Sequence, residues 1–250
     1  MNHRIRSGNR TQGLLPAGSS ISELFSVHER AFIIQENLAP YFSTGTPEES
    51  LIQWVATEFG NPEKSFIDVG AHVGSWTITL APKFAHVYSF EPQRDPFYCL
   101  CGGVALSGLS EKVTARQLAL GETGGPWEAT IRAMTADGGT GSINPNVQVH
   151  MGSGQPRTLE HAEPVQGFRL DDFTFKNVGL VKVDCEGAEL DVLKGAKSTL
   201  IAHGRPPLFF ECWADERGQR RDELFAWVKA FGYDCHPIAG YGEMFLAVRR

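Results

Sequence analysis

Residues 66–77 read Phe-Ile-Asp-Val-Gly-Ala-His-Val-Gly-Ser-Trp-Thr, and no other stretch constrains the fold as much. An apolar run ends in Asp-x-Gly, small residues turn the chain, and a helix-like pattern follows. A parallel strand delivers its carboxyl end to a helix N-terminus in this way in a doubly wound α/β fold. Gly70 and Gly74 have no Cβ, so backbone can turn tightly there and come within contact distance of a ligand. The G-x-x-x-G spacing differs from the G-x-G-x-x-G of pyrophosphate-binding enzymes. Asp68 also places a negative charge where a diphosphate would be repelled. A ligand that is cationic near this loop suits it better, and S-adenosylmethionine, with its sulfonium and ammonium groups, is the candidate.

The next strand supports that choice. His86-Val87-Tyr88-Ser89-Phe90-Glu91-Pro92 ends in an acidic residue roughly 20 positions beyond the first strand, where a carboxylate can accept hydrogen bonds from both ribose hydroxyls. Pro92 cannot donate to a ladder and stops the strand. An ordinary βαβ unit with Asp68 capping a turn is the competing reading, and the paired acidic strand ends favour the nucleotide site.

The chain of 250 residues suits one large domain, or one domain with an extension. Its net charge of −6 argues against a duplex nucleic-acid partner, which demands a basic face. Five scattered cysteines form no C-x-x-C pair, so buried thiols in a reducing compartment are expected. No apolar run approaches the ~18 residues of a membrane span. Arg4, Arg6 and Arg10 are followed by no apolar stretch, so no secretory signal is expected and a cytoplasmic protein fits.

Residues 1–45 read as a partly disordered extension, with a short helix expected through Leu24 and Val27 behind a Ser20-x-x-Glu23 capping box. Residues 46–250 read as the main domain. Thr46-Pro47-Glu48-Glu49 predicts a helix with Thr46 as its cap, Trp54 falls on its core side, and Thr46 and Glu49 are secondary site candidates. Val113 to Leu120 reads as a third strand, with Ala119 placed to offer backbone groups to an adenine edge. From about 121 to 166 regular alternation fails, and a glycine-rich irregular hairpin insertion over the substrate side is expected. His150, within it, is a substrate-side candidate, although an exposed loop histidine is usually only that.

Leu180-Val181-Lys182-Val183-Asp184-Cys185-Glu186-Gly187-Ala188-Glu189 is a second strand-to-helix junction. In the doubly wound order it lies beside the first, so Asp184 and Asp68 are expected to open into one crevice. Glu211 ends a fifth strand, and the chain closes on an antiparallel pair with no helix between. A mostly parallel sheet finished by such a hairpin is the methyltransferase pattern.

Taken together, residues 66–77, Ser89-Phe90-Glu91-Pro92, Leu170-Asp171-Asp172-Phe173, Val181 to Ala188, Leu193-Lys194-Gly195-Ala196 and Arg205-Pro206 through Glu211 resemble the FkbM family of S-adenosylmethionine-dependent methyltransferases. The resemblance implies a class I Rossmann-like fold with a seven-stranded sheet, S-adenosylmethionine as donor, and a hydroxyl acceptor on a sugar or secondary metabolite. His72 stands where an Asn is common in that family, and either residue could hydrogen-bond the methionine part of the cofactor. Asp68, Gly70, Ala71, His72, Gly74, Glu91 and Ala119 are therefore the cofactor candidates.

In-line methyl transfer needs alignment, and a base for a neutral alcohol. Asp184 and Glu186 are the candidate bases, with Glu211 behind them; alternatively the three could hold Mg²⁺. Helix capping is the structural alternative for Asp184 and Glu186. Arg169, Lys182 and Lys194 read as solvated or structural. Two rival functions stay open: a methyltransferase acting on RNA or protein, or a silent cofactor-binding module of the same fold. Net charge and the lack of an Asn-Pro-Pro-Tyr-like clamp speak against base N-methylation.

Overall fold

The computed structural model describes residues 23–27, 30–34, 42, 48–133, 141–144, 161–213 and 221–250. Thr46 and His150 lie outside the described residues. The chain opens with a hairpin of β1 (Glu23–Val27) and β2 (Arg30–Ile34). β3 (Ser65–Val69), β4 (His86–Phe90) and β5 (Val113–Arg116) follow. Next come four short strands: β6 (Ala119–Leu120), β7 (Trp127–Ala133), β8 (Gly141–Ser142) and β9 (His161–Phe168). β10 (Val178–Val183), β11 (Leu208–Glu211), β12 (Tyr233–Ile238) and β13 (Tyr241–Arg249) complete the set.

Seven strands form one sheet in the order β12-β13-β11-β10-β3-β4-β5. β13 alone runs against its neighbours, pairing antiparallel with β11 and β12, while the ladders from β11 to β5 are parallel. Parallel neighbours require crossovers, and helices supply them: Ser75–Leu80 after β3, Arg94–Leu106 after β4, and Glu189–Lys194 with Lys197–Ala202 after β10. Chain order reverses between β3 and β10. The crevice beyond their carboxyl ends is where an open α/β sheet binds ligands.

Strand alternation divides the core between the two faces. Phe66, Val87, Leu180 and Phe209 face the helices Glu49–Glu58, Ser75–Leu80 and Arg94–Leu106. Ile67, Val69, Phe90, Val181, Val183 and Phe210 face the opposite layer, with Leu193, Leu200, Leu224 and Val228. Fully buried side chains of this size each contribute ~1.5–3 kcal/mol relative to exposure.

Four expectations need correction. The segment Glu23–Val27 is a strand rather than a helix. It pairs with β2, whose Phe32 and Ile34 are wholly buried in the first core, and the Ala31 N–H donates to Ser107 Oγ at 2.9 Å. Hairpin pairing and the burial of Phe32 and Ile34 here override the capping signal. The helix expected from Thr46 begins at Glu49, capped by Glu48 in a left-handed conformation (φ 57°). Trp54 lies at the core's rim, 40% exposed, with Phe59 and Phe209 edge-on to its ring. The strand expected over 113–120 is two. β5 ends at Arg116, and β6 leaves the main sheet to run parallel to β9.

β6, β9, β7 and β8 make a second, four-stranded sheet. The irregular insertion is thus ordered β structure where described, and its last strand continues to Phe168, past the expected limit. No helix among the described residues is long and apolar enough to cross a membrane.

Candidate active site

A cavity opens beyond the carboxyl ends of β3, β4 and β10. Its floor begins at the turn after β3. The Gly70 and Ala71 N–H groups donate to the Phe90 carbonyl at 2.9 and 3.0 Å, which draws this turn onto the tip of β4. The Glu91 carboxylate completes the join: Oε2 accepts the His72 N–H and Oε1 the Gln93 N–H, each at 2.8 Å. Burial raises the Glu91 carboxyl above the usual range, while His72 and these N–H donors pull it back. An apolar slot formed by Phe90, Leu118, Leu120, Ile131 and Ile143 lies beside Glu91.

The opposite wall comes from the loop after β10. Glu189 is fully buried, and its Oε1 accepts the Cys185 N–H at 3.0 Å and the Gly187 N–H at 3.1 Å. This pins a loop in which Glu186 (φ 55°) and Gly187 (φ 93°) are left-handed. Asn144 of the inserted segment donates to the Gly187 carbonyl at 3.1 Å, so the second sheet is tied to this wall. The Arg94 N–H, at the start of the helix after β4, donates to Glu163 of β9 at 2.8 Å. Burial and Glu189 push the Cys185 thiol well above its usual range, leaving it a neutral wall residue.

Beneath the cavity lies a buried polar row. Lys182 on β10 is in register with Asp68 on β3, and Asp68 with Ser89 on β4. Thr77 donates to Asp68 Oδ2 at 2.6 Å and lies 2.7 Å from Ser89 Oγ. Lys182 Nζ lies 3.1 Å from Asp184 Oδ2, 3.6 Å from Asp68 Oδ1 and 3.2 Å from the Gly70 carbonyl oxygen. It also sits 5.7 Å from the centre of the Trp76 ring. Burial disfavours the Lys182 charge, but Asp184, Asp68 and Glu48 outweigh it and hold the ammonium above the usual lysine range. Glu48 accepts Trp76 Nε1–H at 2.9 Å, and burial followed by Asp184 raises its carboxyl.

Of the residues singled out from sequence, Gly70, His72, Glu91, Ala119, Asp184 and Glu186 line this one cavity. Asp68, Ala71 and Gly74 are not among its lining residues. Asp68 is turned away because alternation along β3 places it on the face of Phe66, beneath the helix Ser75–Leu80. Gly74 instead makes room for packing, since a Cβ there would lie 2.8 Å from Leu100 and 2.9 Å from Ile78. Glu211 is off the wall, and its carboxyl is pushed well above the ordinary range by burial and by Asp184, Glu186, Glu189 and Glu243. Among the described residues no three His, Cys, Asp or Glu side chains are grouped to hold a metal ion. Of the two readings given for Lys182, solvated or structural, the solvated one fails, because its side chain is buried between Asp68 and Asp184. A lysine within an apolar strand was the signal, because a buried ammonium demands carboxylate partners. Glu48, Glu189, Ile143 and Asn144 carried no comparable signal.

A model of the methyltransferase FkbM domain matches residues 68–235. The chain belongs to the FkbM methyltransferase family. Its domain is similar to the protein described as Methyltransferase 1 of Beauveria bassiana (strain ARSEF 2860), with 30% identity over 152 residues, 54% of this chain and 59% of that protein. The chain thus matches only about three-fifths (59%) of that relative's length. A solved FkbM methyltransferase from Methylobacillus flagellatus KT superposes with a TM-score of 0.49 at 19% identity, covering 74% of this chain and 43% of that one. The precorrin-6y C5,15-methyltransferase of Geobacter metallireducens GS-15 gives 0.49 at 10% identity, covering 88% and 94%. The FkbM match runs from Asp68 through the inserted sheet to Cys235, and so takes in both walls of the cavity.

Proposed function

We propose that this FkbM domain transfers a methyl group from S-adenosylmethionine to a hydroxyl of a sugar or secondary metabolite. The observation that carries the reading is a single cavity with the Glu91 carboxylate beside an apolar slot on one side and Asp184 and Glu186 on the other. The residues present fit the donor. A carboxylate has about four acceptor positions, and the His72 and Gln93 N–H groups with a longer contact from Gln93 Nε2 (3.5 Å) still leave Glu91 capacity for a ribose hydroxyl. Leu118, Leu120, Ile131 and Ile143 suit the faces of an adenine, and Ala119 lies where backbone groups can meet its edge. His72 would face the methionine part.

When bound, the donor supplies an already activated methyl group. The chain's task is to align the acceptor, exclude water and take a proton. Orientation of this kind is worth roughly 7–11 kcal/mol of the barrier. Asp184 is the proposed proton acceptor, with Glu186 beside it. Lys182 engages Asp184 through Oδ2, and the other oxygen is assigned to the acceptor hydroxyl.

The test is incubation of the protein and a small-molecule extract with methyl-labelled S-adenosylmethionine, read by mass spectrometry. The reading requires a labelled O-methyl product. It also requires that Asp184→Asn lower the rate ~10²–10⁴-fold while S-adenosylhomocysteine affinity changes only a few-fold. Label on RNA or protein, or no transfer to any acceptor despite donor binding, would favour the rival functions.

A further inference from the structure

We propose that Lys182 is a positioning residue that couples the donor-side turn to the acceptor-side carboxylate. The inference rests on the donor and acceptor assignments above for its meaning, and on independent geometry for its content. β3 and β10 run in parallel with Asp68 opposite Lys182, so Gly70 and Asp184 each lie two residues further along their own strands. Lys182 Nζ reaches past both strand ends at once, to the Gly70 carbonyl oxygen at 3.2 Å and to Asp184 Oδ2 at 3.1 Å. One ammonium therefore stitches together the two neighbouring loops, after β3 and after β10, that line the cavity.

The backbone around this stitch is tight. The Asp184 N–H donates to the Val69 carbonyl at 3.1 Å, and a Cβ on Gly70 would overlap the Asp184 carbonyl. Neither loop can shift alone without breaking a bond to Lys182. The ammonium is held from a third side by Asp68, itself fixed by Thr77, and it lies against the Trp76 ring. Its side chain is 3% exposed, so water cannot substitute for these partners. A purely neutralising role would need only Asp68, which lies in register on the adjacent strand. The reach to a carbonyl and to a second carboxylate is what assigns Lys182 a coupling role. By linkage, whatever holds one loop in place also sets the affinity of the other for its ligand.

The single variant Lys182→Met would bury Asp68 without its cation and could fail to fold. The test therefore compares Asp68→Asn with the double variant K182M/D68N, in which that charge imbalance is removed and Thr77 keeps an acceptor. Amide hydrogen exchange is followed by mass spectrometry in the ligand-free protein. The coupling role requires faster exchange in both 70–74 and 184–188 in the double variant, with the β10 and β11 strands as protected as in Asp68→Asn. Unchanged protection in either loop would overturn it. So would global unfolding of the double variant, which would make Lys182 a structural residue. As a second measurement, S-adenosylhomocysteine should bind the double variant at least tenfold more weakly than it binds Asp68→Asn, at equal folded fraction. Affinity within threefold would again contradict coupling. Failure of the unsubstituted protein to bind S-adenosylhomocysteine would strike the donor assignment instead, and the exchange result would still decide the role of Lys182.

Discussion

Gly70 and Asp184 meet backbone to backbone: a Cβ built on Gly70 would occupy the position of the Asp184 carbonyl oxygen. Gly70 is also left-handed, with φ +75°. The absent side chain here serves the closure of two strand tips on each other, before any ligand is considered.

Gly70→Ala therefore carries two costs, a left-handed non-glycine residue and displacement of the loop after β10. Positive φ alone costs about 1–3 kcal/mol. We expect thermal unfolding to show a loss of at least ~2 kcal/mol, accompanied by loss of S-adenosylhomocysteine binding. A variant with unchanged melting and affinity would show that the two loops do not constrain each other.

Much of this arrangement is legible in the sequence. Glycine turns after apolar runs and acidic strand tips are local features, so residues 66–77, Glu91, Asp184 and the closing hairpin of the sheet could be placed from the sequence. What failed depended on pairing or on sidedness. Asp68 was expected in the crevice, yet it is on the helix side because Val69 intervenes before the turn. β1 and β2 exist through their mutual ladder and the burial of Phe32 and Ile34, which the capping pattern at Ser20 and Glu23 does not reveal. β6 departs from β5 because β9 is available some 48 residues later (Ala119 opposite Gly167), a partner that no local window contains.

Beside the strands of the inserted sheet, the cavity is lined by Ile143, which is partly buried, lies outside any strand, and packs against the small core of Ala119, Ile131 and Val165. Ile143→Arg would project a long cation into the apolar slot. Calorimetry is expected to show S-adenosylhomocysteine affinity reduced tenfold or more with the melting temperature nearly intact. Equal affinity would place the adenine elsewhere.

Glu211 offers a pH test of the carboxylate cluster. Its folded carboxyl lies well above the ordinary glutamate value of 4.5, through burial and the repulsion of Asp184, Glu186, Glu189 and Glu243. A raised acid binds its proton more tightly when folded. The stability it lends is therefore complete below about pH 4.5 and is lost as pH rises through the folded value. Gln cannot ionise, so the melting-temperature advantage of Glu211→Gln over the unsubstituted protein should grow from pH 5 to pH 8. Each unit of pH across that window is worth up to about 1.4 kcal/mol. An advantage that shrinks with rising pH would mean that Glu211 is stabilised as an anion.

The central claim is that Glu91 and the slot beside it seat the nucleoside of the methyl donor, and isothermal calorimetry with S-adenosylhomocysteine tests it most directly. Hydrogen bonds to a charged group are each worth about 1.5–3 kcal/mol, so removal of the carboxylate should cost at least tenfold in affinity. The account requires saturable one-to-one binding by the unsubstituted protein and binding at least tenfold weaker by a folded Glu91→Ala variant. No heat of binding at saturating ligand, or equal affinity for the two proteins, would contradict it.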